Sequence, residues 1–149
     1  NEIIFYYEQQ PVLTDYVVKY LDVDTNEPVA PEKELDGLEV GAVVSERAIN
    51  VDGYTALDPT EATLVLAETG NEIIFYYQKL TTYTIHYCDD LNGEDIAEPK
   101  TVTDVPVGET YTEYALDIQG YIALDNEITF TLKESGNDYY LYYLRWAVD

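Results

Sequence analysis

Short runs in which apolar and polar residues alternate recur along the chain. They predict β-strands, because successive side chains of a strand point to opposite faces. The clearest run is Tyr16–Tyr20, in which Tyr16, Val18 and Tyr20 share one face. The run Tyr83–Tyr87 repeats the pattern. We expect the tyrosine-bearing face of both strands to point into a core.

The sequence also repeats itself over longer distances. The string NEIIFYY stands at Asn1–Tyr7 and again at Asn71–Tyr77, and a relaxed copy, NDYYLYY, stands at Asn137–Tyr143. GYTALD at Gly53–Asp58 matches GYIALD at Gly120–Asp125. Self-similarity at a fixed period is typical of repeat proteins.

These matches divide the chain into three segments, residues 1–10, 11–79 and 80–149. The first would be the final strand of a preceding, truncated repeat, and the other two would be complete repeats. We therefore expect the chain to be a piece of a longer tandem array. A piece that begins within a repeat cannot show a targeting segment, so the sequence leaves the compartment open.

Within each repeat the hydrophobic period changes once. Apolar residues stand at helical spacing at Val40, Val44, Ala48 and Val51, and again at Val107, Tyr111, Ala115 and Ile118. This spacing predicts one short amphipathic helix that ends before Gly53 or Gly120. A strand at Ala42–Val44 is the alternative.

Strands are predicted on both sides of this helix. The first strand is followed by a turn and a short second strand that carries Val29 or Ile96. After the helix, strands are expected at 54–57 or 121–124, at 128–132 in the second copy, and at 73–77 or 139–143 as the closing strand. The resulting order, β-β-α-β-β-β, is α+β with predominantly β content, and a β-grasp-like arrangement fits it.

The charge of the chain excludes two classes of function. The chain carries 30 acidic and 7 basic side chains, which give a net charge of −23. This charge would oppose binding to nucleic acid through neutralisation of phosphates, and it would oppose direct contact with an anionic membrane. A hydrophobic content of 46% nevertheless lets the chain build cores.

Each repeat carries the same four motifs in the same order: Y-x-V/I-x-Y with an acidic turn, V-G, G-Y, and a closing G-N-x-x-x-x-Y-Y strand. They stand at Tyr16–Asp22, Val40-Gly41, Gly53-Tyr54 and Gly70–Tyr77, and at Tyr83–Asp89, Val107-Gly108, Gly120-Tyr121 and Gly136–Tyr143. In these motifs the chain resembles the MucBP (mucin-binding protein) repeat of Gram-positive bacterial surface adhesins.

This resemblance implies two tandem β-grasp (ubiquitin-like) repeats. It also implies an extracellular, cell-wall-anchored parent protein, with the anchor in parts of the parent chain not present here. Adhesion to mucin or another host glycoprotein is the implied function. The family offers no catalytic residues to carry over, so we expect no enzyme activity and no cofactor. Neighbouring repeats of the same chain are the other expected partners.

The tyrosines are the candidate ligand-binding residues. If one face of each closing strand is buried, the other face presents Tyr76, Tyr140 and Tyr142. Exposed aromatic rings can stack on sugars, and their hydroxyl groups can form hydrogen bonds. The alternative is that these rings pack against neighbouring strands, as strand tyrosines usually do.

A weak calcium candidate lies in the first turn. Asp22, Asp24 and Asn26 follow the beginning of a calcium loop, D-x-D-x-N. The sixth and twelfth positions, Glu27 and Lys33, break that pattern, so an acidic solvated turn is the simpler interpretation. His86 and Cys88 share a strand face, but without a second ligand pair they do not predict a zinc site.

Two functions remain open. Either the repeats bind mucin glycans directly, as the family resemblance implies, or they act as a mechanical stalk that presents a distal adhesive domain. Mucins carry anionic sugars, so a polyanionic chain should need neutral sugars, high salt or bridging calcium for direct binding. Parallel pairing of the terminal strands, expected for a β-grasp unit, would let a stalk resist force.

Overall fold

The computed structural model describes residues 2–4 and 10–146, and the regular secondary structure in this part is entirely β. The eleven strands are β1 (Leu13–Asp22), β2 (Lys33–Glu39), β3 (Val43–Arg47), β4 (Tyr54–Ala56), β5 (Glu61–Val65), β6 (Glu72–Asp89), β7 (Lys100–Pro106), β8 (Thr110–Tyr114), β9 (Tyr121–Ala123), β10 (Glu127–Thr131) and β11 (Asp138–Arg145). None of the described residues forms a helix long and apolar enough to cross a membrane.

The chain divides into two compact units. The first comprises Asn1–Val51 and Ala56–Tyr77, and the second comprises Asp52–Thr55 and Gln78–Asp149. Strand β6 begins among residues of the first unit and ends among residues of the second. It therefore supplies the last strand of one repeat and the first strand of the next.

In the first unit β1 lies between two partners. It pairs antiparallel with β2 and parallel with β6, in a register that runs from Val17–Glu72 to Asp22–Tyr77. The first and last strands of this repeat are therefore parallel neighbours. Strands β3 and β5 form a separate antiparallel ribbon, with Val43 opposite Val65.

The second unit repeats this arrangement. Strand β6 pairs antiparallel with β7 and parallel with β11, in a register from Thr84–Asp138 to Asp89–Tyr143. Strand β9 pairs antiparallel with the end of β11. Strands β8 and β10 form the ribbon. Each repeat thus has a mixed sheet with a parallel central pair, as in a β-grasp, and a two-stranded ribbon.

The predicted helix is wrong in both repeats. Strands β3 and β8 occupy its place, so the class is all-β and not α+β. The true pattern has a period of two, but its inward positions include Glu46 and Glu113, and counting these glutamates as solvent-facing hid the alternation. The strand alternative at Ala42–Val44 was closer, since β3 begins at Val43.

Hydroxyl pairs show why the β8–β10 ribbon is stable as strands. The hydroxyl oxygens of Thr110 and Thr131 lie 2.9 Å apart, and those of Thr112 and Thr129 lie 2.8 Å apart. β-Branched residues favour strands over helices because their side chains are stiff at the first torsion. These local preferences outweigh the helix-like spacing of the apolar residues.

The predicted second strand is also misplaced. Strand β2 begins at Lys33, several residues after Val29, and β7 begins at Lys100, after Ile96. Near the predicted place the described residues form only an isolated bridge in each repeat, Leu21 with Pro28 and Cys88 with Asp95. Pro31 and Pro99 stand between these bridges and the strands, and proline has no N–H to give to a ladder. The predicted third strands agree with β4 and β9, the fourth strand with β10, and the closing strands with the beginning of β6 and with β11.

The tyrosine-bearing face of the first strand points inward, as predicted. Tyr16, Val18 and Tyr20 are 4%, 0% and 3% exposed. In the second unit the buried core comprises Tyr83, Ile85, Tyr87, Val105, Phe130, Leu132, Leu141 and Tyr143. Both cores therefore rest largely on tyrosine rings.

Hydrogen bonds made by buried hydroxyl groups explain why two core positions carry tyrosine and not phenylalanine. The Tyr77 hydroxyl donates to the Ile49 carbonyl at 2.7 Å. The Tyr143 hydroxyl donates to the Leu116 carbonyl at 3.1 Å and accepts from the Leu116 N–H at 2.9 Å. Each ring fastens the segment after the ribbon strand to the closing strand of the sheet.

The predicted strand of a preceding repeat falls largely outside the described residues, which omit Asn1 and Phe5–Gln9. Residues 2–4 are exposed and belong to no strand. The interpretation of residues 1–10 therefore stays a prediction.

Candidate functional site

The three candidate tyrosines lie on the outer faces of the sheets. Tyr76 belongs to the first unit and is 39% exposed, whereas Tyr140 and Tyr142 belong to the second unit and are 46% and 41% exposed. Alternation along the closing strands produces this placement, because Phe75, Tyr77, Leu141 and Tyr143 occupy the buried face. The structure therefore brings Tyr140 and Tyr142 together on one surface.

A histidine extends this aromatic surface. The Tyr140 and Tyr142 ring centroids are 6.2 Å apart, and the His86 and Tyr140 centroids are 4.7 Å apart. In both pairs the ring planes are nearly parallel, with an interplanar angle of 16°, so the rings are stacked. We call His86, Tyr140 and Tyr142 the aromatic row. The row follows from strand pairing, since His86 on β6 lies opposite Tyr140 on β11.

Carboxylates border the aromatic row. His86 Nε2 lies 2.9 Å from Asp138 Oδ1, and His86 Nδ1 lies 4.0 Å from Asp95 Oδ1. The Cys88 thiol lies 3.5 Å from the same Asp95 oxygen and is buried. Burial, reinforced by Asp95, raises the pKa of Cys88, which keeps the thiol protonated and unreactive.

The equivalent face of the first unit is built differently. Lys19 and Ile74 stand where the second unit has His86 and Tyr140, and Tyr76 stands where it has Tyr142. Lys19 Nζ forms an ion pair with Glu72 at 2.9 Å. The first unit therefore has one exposed ring and a lysine–glutamate pair, and it has no counterpart of the stacked row at these positions.

A repeated polar cluster, which the sequence analysis missed, lies under each ribbon. Glu46 Oε2 accepts a hydrogen bond from the Tyr16 hydroxyl at 2.5 Å, and Glu46 Oε1 accepts one from Lys33 Nζ at 2.8 Å. The Glu46 side chain is only 8% exposed. Burial opposes its ionisation, but the hydrogen bonds from Lys33 and Tyr16 outweigh burial and lower the pKa of Glu46. Burial and Glu46 together raise the pKa of Tyr16 to about 12.

The second unit contains the same cluster. Glu113 accepts from the Tyr83 hydroxyl and from Lys100 Nζ, the latter at 2.7 Å. Burial again opposes ionisation, and the bonds from Lys100 and Tyr83 again lower the pKa of Glu113. The sequence contains one indication of this cluster: each of its three residues in the first repeat has an identical residue 67 positions later in the second. In each cluster the tyrosine and the lysine bind the two carboxylate oxygens of the glutamate. The clusters therefore connect the ribbon to the sheet, and their carboxylates are not available for catalysis.

The asparagine of the closing motif is also structural. Asn71 Nδ2 donates to the Ala67 and Asp15 carbonyls at 2.7 and 3.0 Å, and Asn71 Oδ1 accepts from the Ala67 N–H at 2.8 Å. Asn137 makes the matching bonds with Lys133 and the Thr82 carbonyl. This side chain joins the loop before the closing strand to the first strand.

The calcium candidate forms part of an ordered turn. Asp22 Oδ1 accepts from the backbone N–H groups of Asp24 and Thr25 at 2.8 and 3.2 Å. Asn26 has a φ of 63°, which asparagine tolerates better than most residues. Within residues 2–4 and 10–146, no group of three or more His, Cys, Asp or Glu side chains is arranged to hold a metal ion. Calcium binding by Asp22, Asp24 and Asn26 stays a prediction.

A family model described as the MucBP domain matches residues 17–78 and 82–143. No curated protein matches the chain. Among solved structures, "Type 2 repeat of the mucus binding protein MUB from Lactobacillus reuteri" is 17% identical, with a TM-score of 0.37 and coverage of 89% of this chain and 99% of that chain. "Crystal structure of Mub-RV" is 15% identical, with a TM-score of 0.34 and coverage of 89% and 98%. "Structure of the Streptococcal ancillary pilin" is 10% identical, with a TM-score of 0.38 and coverage of 93% and 64%.

Proposed function

The chain belongs to the MucBP domain family, and from that premise we propose that its two repeats form a non-enzymatic region of a bacterial cell-surface adhesin that binds mucin or another host glycoprotein. The parent protein would be extracellular and anchored to the cell wall through other parts of its chain. One observation carries the binding proposal, namely the aromatic row of the second unit, in which Tyr140 and Tyr142 are exposed and His86 is half-buried.

The chemistry of the row suits carbohydrate. Exposed rings present flat apolar faces to the C–H groups of a sugar, and the tyrosine hydroxyls and the His86 ring supply hydrogen-bonding groups. Asp138 and the net charge of −23 disfavour anionic sugars such as sialic acid. We therefore expect the row to contact neutral sugars of the glycoprotein.

Binding to immobilised mucin at physiological salt tests this proposal, first with calcium and then with a chelator. The Tyr140→Ala/Tyr142→Ala variant should lose most binding, and Tyr76→Ala should lose little. Val65→Ala, at a 62% exposed position on the ribbon of the first unit, is the matched control. Undiminished binding by the double variant contradicts a role for the row, and loss on chelation alone points to calcium bridging.

A mechanical stalk is the second candidate, and strand pairing favours it. In each repeat the first and last strands are parallel neighbours, β1 with β6 and β6 with β11. Force applied to the ends of such a repeat loads these hydrogen bonds in shear, so that many must break together. Single-molecule pulling should therefore unfold each unit only at high force. Unfolding at low force would contradict the stalk.

A further inference from the structure

An open cleft of about 910 Å³ lies in the second unit, apart from the aromatic row. It is lined by the last residue of β8, the segment 115–120, strand β9, Asn126 and the residue after β11. None of Tyr140, Tyr142 and His86 lines it. The cleft is therefore a separate place where a ligand could bind.

Two exposed aromatic side chains stand in this cleft. Tyr114 is 65% exposed and Trp146 is 59% exposed, and both are among the large apolar side chains left in contact with water. Trp146 has a defined position at the backbone, because its N–H donates to the Gly120 carbonyl at 3.0 Å. Exposed aromatic rings in a concave site are a common means of binding small molecules.

Polar groups accompany the rings. Asp117, Gln119 and Asn126 line the same cleft. The Asn126 backbone is fixed by a hydrogen bond from the Ala115 N–H at 2.8 Å. The side-chain amides can donate to and accept from sugar hydroxyls, and the Asp117 carboxylate can accept from them but would repel an anionic sugar.

We propose that this cleft binds a neutral sugar, a hexose or an N-acetylhexosamine, with Trp146 and Tyr114 as stacking surfaces. This inference rests on the proposed adhesive function and adds a second contact to it. Leu116 and Ile122, which are 45% and 58% exposed in the cleft, offer apolar surface for an acetyl methyl group.

The first repeat provides an internal comparison. Arg47 stands at the position equivalent to Tyr114 and is paired with Glu61 at 2.8 Å. Leu80 stands at the position equivalent to Trp146, since its N–H bonds the Gly53 carbonyl as Trp146 bonds Gly120. With neither ring present in the first repeat, the chain should bind one sugar in this way and not two.

Tryptophan fluorescence gives a direct readout, because Trp146 is the one tryptophan of the chain. The intact chain is titrated with N-acetyllactosamine under excitation selective for tryptophan. We expect a saturable change with one site per chain. Tyr114→Ala should weaken binding about fivefold, as expected for one lost stacking contact. The sialylated trisaccharide should bind at least about tenfold more weakly.

Val65→Ala serves as the control, because Val65 is exposed in the first unit and lines neither the cleft nor the aromatic row, so it should leave this titration unchanged. A flat titration, or one unaffected by Tyr114→Ala, overturns the cleft proposal. So does a fluorescence change that follows protein concentration without sugar, which would mean that a second copy fills the cleft. A flat titration with undiminished mucin binding overturns the cleft alone, whereas failure of the unmutated chain to bind mucin overturns the proposed function itself.

Discussion

In the first unit the outer sheet face carries Lys19 paired with Glu72, and at the same positions the second unit carries His86 and Asp138. Ile74 of the first unit is replaced by Tyr140, which completes the aromatic row. Beneath these faces the units keep the same side-chain bonds. Such a comparison separates two kinds of residue: those that both repeats need in order to fold, and those that can differ because they face water.

The largest expected effect concerns the buried asparagines, which the two units share. Asn71→Ala and Asn137→Ala should each lower the free energy of unfolding by about 3 kcal/mol, because several backbone groups lose their partner. Denaturant unfolding measures this change, and the exposed Asn50→Ala is the control. If one unit tolerated its substitution and the other did not, the two interiors would not be equivalent.

The next effect concerns the tyrosine–glutamate–lysine clusters. The pKa values of Glu46 and Glu113 are lowered in the folded protein, so their stabilisation is present at neutral pH and lost as pH falls through the folded values. Glu46→Gln and Glu113→Gln should each cost about 1–2 kcal/mol near neutral pH. As pH falls through the lowered folded pKa values the cost should shrink, because the wild-type carboxyl then becomes neutral as well.

Denaturant unfolding at several pH values measures this dependence. The exposed Glu39→Gln is a suitable control, because its side chain makes no part of the clusters. A Glu46→Gln penalty that stayed constant from neutral to acid pH would show that the charge of Glu46 contributes nothing to folding.

A smaller effect on stability, with a larger effect on binding, is expected for the outer faces. His86→Lys with Tyr140→Ile gives the second unit the side chains of the first, and should change stability by less than about 1 kcal/mol. Mucin binding should fall severalfold because the stacked row is lost. The reciprocal variant, Lys19→His with Ile74→Tyr, should raise binding. Equal binding by wild type and both variants would remove the functional difference between the units.

The smallest effect concerns the turns after the first strands. Asp22 and Asp89 each accept backbone N–H groups, but only the first turn keeps the D-x-D-x-N spacing. Since Asp22 Oδ1 already caps its turn, we expect millimolar calcium to shift the thermal midpoint by less than about 1 °C. Differential scanning fluorimetry with and without a chelator measures this shift, and a larger shift abolished by Asp24→Asn would establish the calcium site.

Local sequence patterns predicted the strands whose side chains alternate cleanly. The inward face of Tyr16, Val18 and Tyr20 and the outward face of Tyr140 and Tyr142 followed from the two-residue period alone. The patterns did not predict the ribbon strands β3 and β8, because each of these strands has a glutamate on its inward face. The glutamate lies there because it bonds to a partner distant in sequence. Glu46 is buried where it meets Tyr16, 30 residues away, and no local pattern contains that contact.

The same limit applies to the candidate sites. His86 was recognised as a strand residue, but its stacking on Tyr140 depends on the parallel register of β6 and β11. Trp146 and Tyr114 lie far apart in sequence and share a cleft because of the turn at Gly120. Chemistry that depends on pairing between distant strands becomes predictable only once the topology is known.

The parallel pairing of first and last strands also determines when a repeat can fold. Val17 on β1 pairs with Glu72 on β6, so the centre of the sheet cannot form until nearly the whole repeat is available. Contacts of such large sequence separation make folding slow, because the intervening chain must lose its freedom first. As the chain is synthesised, each repeat would therefore stay open and complete its sheet only after its closing strand had emerged.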